Sequence, residues 1–251
     1  MDYAEAFLDQ NRAFGNVIDG ADPATPVPTC PGWTLKELLR HVGRGDRWAA
    51  QIITERADHY LDPRSVAGGK PPDDPGGVIS WLHNGAQRLI EAVEQVGMET
   101  PVWTFLGRRP AYWWVRRRLH ETAMHRADAA LALGLAYPLA AELAADGVSE
   151  WLERVAAQAG AEAGPAPLED GNSMHLHATD PGLGVAGEWT ICAGEGRITW
   201  SHDHGKSTVA LRGAATDLLL ALARRISVAE SGIALFGDTA VWQNWLDRTP
   251  F

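Results

Sequence analysis

Glu121 and His125 stand four residues apart in the run RRRLHETAMHRADA, residues 116–129. If that run is helical, the two lie one turn apart on one face, where a carboxylate oxygen and an imidazole nitrogen can share a cation. Arg117 lies a further turn back on the same stripe. A third ligand must come from elsewhere. His41, in ELLRHVG, follows Leu38 and Leu39 near an apolar stripe, which turns it inward. One histidine from one helix with a Glu and a His from another is a known way to build a metal site in a bundle. Three protein ligands leave a position open for water or a thiol, the arrangement of catalytic zinc. The competing reading is a solvated helix face laced with salt bridges, and spacing alone does not choose between the two. HETAMH is not the HExxH of zinc proteases, because His120 and His125 are five apart.

Other signals are weaker. MHLHATD and WSHDHGKS each hold two histidines that share a face if the segment is a strand. No third ligand is evident beside either pair, so both read as histidines on a sheet surface. HGKST resembles the end of a phosphate-binding loop, but the required glycine five residues before Gly205 is Trp200. His120 reads as a buried histidine, Asp128 as the partner of a ring nitrogen or, in preference, of Arg126 in a salt bridge, and Cys30 as a small apolar filler.

These residues need helices to hold them. Tyr3, Phe7, Leu8, Phe14 and Val17 recur at near-helical spacing. A Pro-rich stretch then leads to Thr34, an N-cap with Glu37 three residues on, which opens a helix carrying His41. After a loop over 62–77, a third helix is expected from Val78 and a fourth from about 111 to 133. Beyond GLAYP the character changes: a helix over about 139–159, a Gly/Ala/Pro linker over 159–171, four short strand-like runs read as an antiparallel meander, and two closing pieces. The reading is a four-helix bundle over 1–137 followed by an α+β domain over 138–251.

The 251 residues, 45% hydrophobic and 22% charged, describe an ordinary globular chain. No apolar run approaches the roughly 18 residues of a membrane span, and the N-terminus lacks a signal peptide, so a cytoplasmic location is expected. A net charge of −10 disfavours a nucleic-acid partner. Two cysteines, Cys30 and Cys192, are too few for a disulfide framework. The eleven tryptophans are read chiefly as core.

VPTCPGWTLKELLRHVGRGDRWA and WWVRRRLHETAMHRADA together resemble the mycothiol-dependent maleylpyruvate isomerase family, a branch of the DinB-like metal-binding bundles. That family carries Cys-Pro-Gly-Trp-Thr before its second helix, a metal-binding histidine about ten residues later, and His-Glu-x-x-x-His-Arg-x-Asp on the fourth. VALRGAATDLLLALARR and ALFGDTAVWQNWL are similar to its sterol-carrier-like C-terminal domain. The resemblance implies zinc or another divalent metal on His41, Glu121 and His125, with mycothiol as thiol cosubstrate and a small electrophile as substrate. It implies isomerisation or S-transfer by a monomer or homodimer. A catalytic arginine commonly ends a Trp-Gly-Arg triplet after the LLL run; Arg225 is its positional match, with Arg224 in place of the small residue, and Arg117 is a second candidate. The residues that would hold the thiol are not assigned. The rival class is a non-catalytic binder of small molecules or thiols that keeps a residual metal site.

Overall fold

The computed structural model describes residues 1–158 and 166–249. The chain divides into two compact units, Met1–Tyr137 and Pro138–Phe251. Part of the expected 159–171 linker, residues 159–165, lies outside the described residues. Among the described residues no helix is long and apolar enough to cross a membrane.

Four helices build the first unit: α1 (Tyr3–Ile18), α2 (Leu35–Thr54), α3 (Pro75–Val96) and α4 (Tyr112–Leu133). Helix α1 packs on α3 and α4, and α2 packs on the same two. Leu35, Leu38, Leu39, Val42, Ala49, Ile52 and Ile53 form the apolar stripe of α2, at the three- and four-residue spacing that buries one face. Helix α2 begins where Thr34 and Glu37 predicted, with the Glu37 carboxylate accepting the Thr34 amide at 3.1 Å. Helix α3 begins three residues before Val78, because Asp74 accepts the Gly76 amide and Pro75 suits the first turn, where no amide donor is needed. A two-stranded hairpin, β1 (Pro101–Val102) with β2 (Arg109–Pro110), precedes α4 and was not evident in the sequence.

Helix α4 is buried on nearly every side. Arg117, Arg118, His120, His125, Arg126 and Asp128 are all buried, so the charged run is not a solvated face. No glycine or proline interrupts it, and Gly134 ends it in a left-handed conformation (φ 66°) with its amide returned to Ala130.

The second unit places helix α5 (Ala141–Gln158) before a five-stranded sheet of β3 (Ser173–Ala178), β4 (Glu188–Gly194), β5 (Arg197–Ser201), β6 (Val209–Gly213) and β7 (Ala234–Gly237). Helix α6 (Ala215–Leu222) and helix α7 (Thr239–Arg248) complete it, α7 capped by Asp238. Strand order is β5-β4-β3-β6-β7, and β3 runs parallel to β6. The segments are therefore not a simple meander: the chain leaves β5 at one edge and returns beside β3. Register explains the choice, since Met174, Leu176, Trp189, Ile191, Val209 and Leu211 then share one buried face. Helix α5 is tied to this unit by the Trp189 indole, which donates to Ser149 at 3.0 Å. Six of the eleven tryptophans are buried, which bears out the core reading for most of them.

Gly45 shows how closely the helices approach. A β-carbon there would lie 2.6–2.7 Å from the Arg118 guanidinium. Elsewhere in a helix, alanine for glycine gains about 1 kcal/mol. Gly45→Ala should instead destabilise by about 1–3 kcal/mol through overpacking, read by urea denaturation. A stabilised variant would mean that Arg118 can move aside freely.

Candidate metal centre

Helices α2 and α4 bring the three expected ligands together. His41 Nε2 lies 2.8 Å from Glu121 Oε1. The His125 ring stands edge-on to the His41 ring, centroids 4.9 Å apart. One nitrogen from each histidine and one Glu121 oxygen all lie within 4.8 Å of one another. The donor set, two imidazoles and a carboxylate, fits a zinc-class dication.

His125 is oriented for this. Its Nδ1 meets Asp128 Oδ2 at 2.8 Å, the carboxylate–histidine pairing common behind metal sites. Of the two partners expected for Asp128, a ring nitrogen and Arg126, the first is present in the His125 bond; Arg126 also stacks over Tyr137, with 4.3 Å to the ring centroid. Asp128 also accepts from Thr29 at 2.6 Å and from the Cys30 thiol at 3.4 Å. Cys30 is therefore more than an apolar filler, and its sulfur, His125 and Asp128 form a second group within ligand distance. The turn that carries Thr29 and Cys30 also places Trp33, whose ring lies 4.9 Å from His41 and 6.2 Å from His125. Trp33 forms an aromatic wall that the helix spacing could not reveal.

Electrostatics set the protonation states. Burial alone raises the Glu121 carboxyl, but Arg118 and Arg117, with the His41 hydrogen bond, hold it well below the usual carboxylate range. Arg117 Nη2 reaches Glu121 Oε2 at 2.9 Å, and Arg118 Nη1 reaches Oε1 at 2.7 Å. Burial pushes His125 below the ordinary histidine value, opposed by its bond to Asp128, so its imidazole is neutral at pH 7. An ionised carboxylate and a neutral imidazole are the forms that bind metal.

Arg118 continues inward, donating to Asp46 at 2.8 Å and to the Val42 carbonyl at 3.0 Å. Asn11 donates to Asp46 at 3.3 Å, and its amide oxygen meets His83 Nδ1 at 2.8 Å. Burial raises the Asp46 carboxyl, with the Arg118 charge opposing. Asp46 and Arg118 support the ligands; Arg118 stood out in the sequence as part of the basic run 116–118, whereas Asp46 did not, since a polar residue facing inward looks like any other.

Arg225, the other catalytic candidate, follows α6 in the second unit, where it is buried and donates to the Ala223 carbonyl at 2.7 Å. Arg224 adopts φ 59°, the left-handed region that favours glycine. The backbone thus keeps the conformation suited to the small residue of the family triplet, although the side chain differs.

The chain thus joins a helical unit, which gathers two histidines and a glutamate between two helices, to an α+β unit. The model of the mycothiol maleylpyruvate isomerase N-terminal domain matches residues 4–130, and that of the MDMPI C-terminal domain matches residues 142–244. The chain belongs to the mycothiol-dependent maleylpyruvate isomerase family. Two solved structures share the fold: a mycothiol-dependent maleylpyruvate isomerase at 16% identity and a variant of it at 15%, each with a TM-score of 0.59. Each match covers 93% of this chain, and 91% and 92% of the respective solved chains. No curated protein sequence matches the chain.

Asp46→Ala leaves the Arg118 guanidinium short of a buried partner and should cost about 3–5 kcal/mol in urea denaturation. A pH effect centres on His83, whose value is lowered by burial and by the charge of Arg12. The unfolded chain takes up this proton near pH 6.5. Stability is therefore present above that pH and is lost as pH falls through the lower folded value. The urea midpoint should drop between about pH 7.5 and about pH 5.5, and drop less in His83→Gln. Equal slopes would rule His83 out as the source.

Proposed function

We propose that this protein is a metal- and thiol-dependent enzyme that isomerises a small unsaturated acid of the maleylpyruvate type, with mycothiol as the thiol. The convergence of His41, Glu121 and His125 within 4.8 Å carries the reading, together with membership in the family. The solved relatives of the same fold are mycothiol-dependent maleylpyruvate isomerases. A dication of the zinc class bound there would lower the pKa of a thiol, making it a thiolate at neutral pH.

The chain's own groups prepare for that thiolate. Arg117 and Arg118 keep Glu121 anionic, Asp128 turns His125 toward the ligand position, and Trp33 walls the site. A dication beside two buried guanidiniums would leave net positive charge against Glu121, Asp46 and Asp128, a setting suited to an anionic sulfur or carboxylate. A thiolate held there would supply reversible addition to a cis double bond, which would let the carbon–carbon bond turn before elimination releases the trans product and the thiolate. Arg225, matched to the family's arginine by sequence position alone, is the candidate group to steady a substrate carboxylate, for which a guanidinium fork is suited. Arg117, engaged with Glu121, is assigned to the ligand side of the reaction.

S-transfer to another electrophile is the second reading, favoured by the Ala-Arg-Arg sequence at 223–225 where the family commonly has Trp-Gly-Arg. A location in the cytoplasm accompanies either reading.

His41→Ala with His125→Ala should remove the metal of the α2–α4 centre and lower thiol-dependent turnover by about a hundredfold or more. Elemental analysis beside a mycothiol-plus-maleylpyruvate assay tests both. Full turnover in the metal-depleted double variant would overturn the enzyme reading, and unchanged ligand affinity without turnover in either chain would favour a binder. Arg225→Ala should lower kcat/KM for a carboxylate substrate by about tenfold or more, and leave an uncharged electrophile nearly untouched. Equal losses on both substrates would remove Arg225 from substrate recognition.

A further inference from the structure

The alternation Met174-His175-Leu176-His177 sends the two apolar residues of β3 to the covered face and both histidines to the other. Glu188 on β4 is the register partner of His177, so its carboxylate enters on the histidine face. Glu188 Oε1 lies 2.6 Å from His177 Nδ1 and 3.3 Å from His204 Nδ1, and Oε2 lies 2.8 Å from His175 Nε2. The segment after β5 folds back to supply His204. His202 Nδ1 meets the Glu188 backbone carbonyl at 2.8 Å, and the Thr190 hydroxyl donates to the Asp203 carbonyl at 2.8 Å. These tethers hold the His204 ring edge-on to His175, centroids 5.0 Å apart.

Both histidine pairs thus converge on Glu188, with His175, His177 and His204 at its carboxylate and His202 at its backbone carbonyl. The expectation of histidines without a third ligand fails because Glu188 arrives through strand register rather than from nearby sequence. Two observations set the cluster apart from an ordinary polar sheet surface. One nitrogen of His175, one oxygen of Glu188 and one nitrogen of His204 all lie within 4.8 Å of one another. In addition, His175 Nε2 and Glu188 Oε2 are buried and face each other at 2.8 Å. Buried polar atoms nearly always find a partner. Arg212, beside His177 on β6, is exposed, so solvent screens its charge.

We infer that His175, Glu188 and His204 form a second divalent-metal site, of the zinc class, with His177 orienting the Glu188 carboxylate. Two imidazoles and a carboxylate are the donors such ions select, and a water completes four-coordination. The His204 side chain is 74% exposed, so a cation has an open route from solvent. Once bound, it clips the segment after β5 to β3 and β4.

The test uses the full chain carrying His41→Ala and His125→Ala, stripped with a chelator and titrated with Zn²⁺ and Co²⁺. About one saturable ion per chain is expected, with the intense visible band of four-coordinate Co²⁺ and a rise in melting temperature on adding Zn²⁺. Adding His204→Ala should weaken binding by about tenfold to a hundredfold or more and remove the melting shift. Because His204 is exposed, the metal-free melting temperature should not change, which excludes misfolding as the cause. Glu188→Gln should weaken binding in the same way. No saturable ion in the double variant, or equal affinity after His204→Ala, overturns the site. The outcome is separate from the proposed function: a chain that loads metal here but none between α2 and α4 would defeat that reading and leave this one standing.

Discussion

One buried cation organises the first unit. Arg118 bridges Asp46 on α2 and Glu121 on its own helix, and it reaches the Val42 carbonyl as well. A guanidinium left unpaired in that interior would be strongly destabilising, so each of its partners must be present and correctly placed. Gly45 is absent a side chain where Arg118 passes, and Asn11 and His83 extend the chain of contacts to α1 and α3. The candidate ligand Glu121 thus belongs to a polar network touching all four helices. Its position is held by the fold, and its negative charge is held by two arginines.

That coupling has a chemical consequence. A carboxylate shared with guanidiniums stays ionised without any metal ion. His125 is prepared differently, by burial that keeps it neutral and by Asp128 behind it. The turn bearing Thr29, Cys30 and Trp33 is fastened to the same Asp128, which ties the Pro-rich entry of α2 to the ligand helix. The motif residues around 30–34 therefore serve the site through α4 as much as through their own helix.

The second unit solves a similar problem with a sheet. There, period-two alternation divides apolar from polar residues, and register delivers Glu188 between two histidines. In both units a carboxylate from one element is gripped by histidine from another, but in the helical unit arginine engages it as well, whereas in the sheet the side chains that meet Glu188 are histidines.

Much of the fold was legible in local pattern. The α2 start followed from Thr34 and Glu37, the helical stripes from three- and four-residue spacing, and the inward turn of His41 from its place after Leu38 and Leu39. The Glu121–His125 pairing followed from the pitch of a helix. These are properties of neighbouring residues, and a sequence by itself determines them. Other features depend on which elements meet: the parallel β3–β6 pairing, the bond from Asp128 to the His125 ring, the Asp46–Arg118 pair 72 residues apart, and the meeting of His175, Glu188 and His204. Spacing cannot show whether a charged helix is wet or buried, because the same run of Arg, His and Glu serves either setting. Only the tertiary structure decided that, by packing α1 and α2 against α4 and burying its arginines, histidines and Asp128.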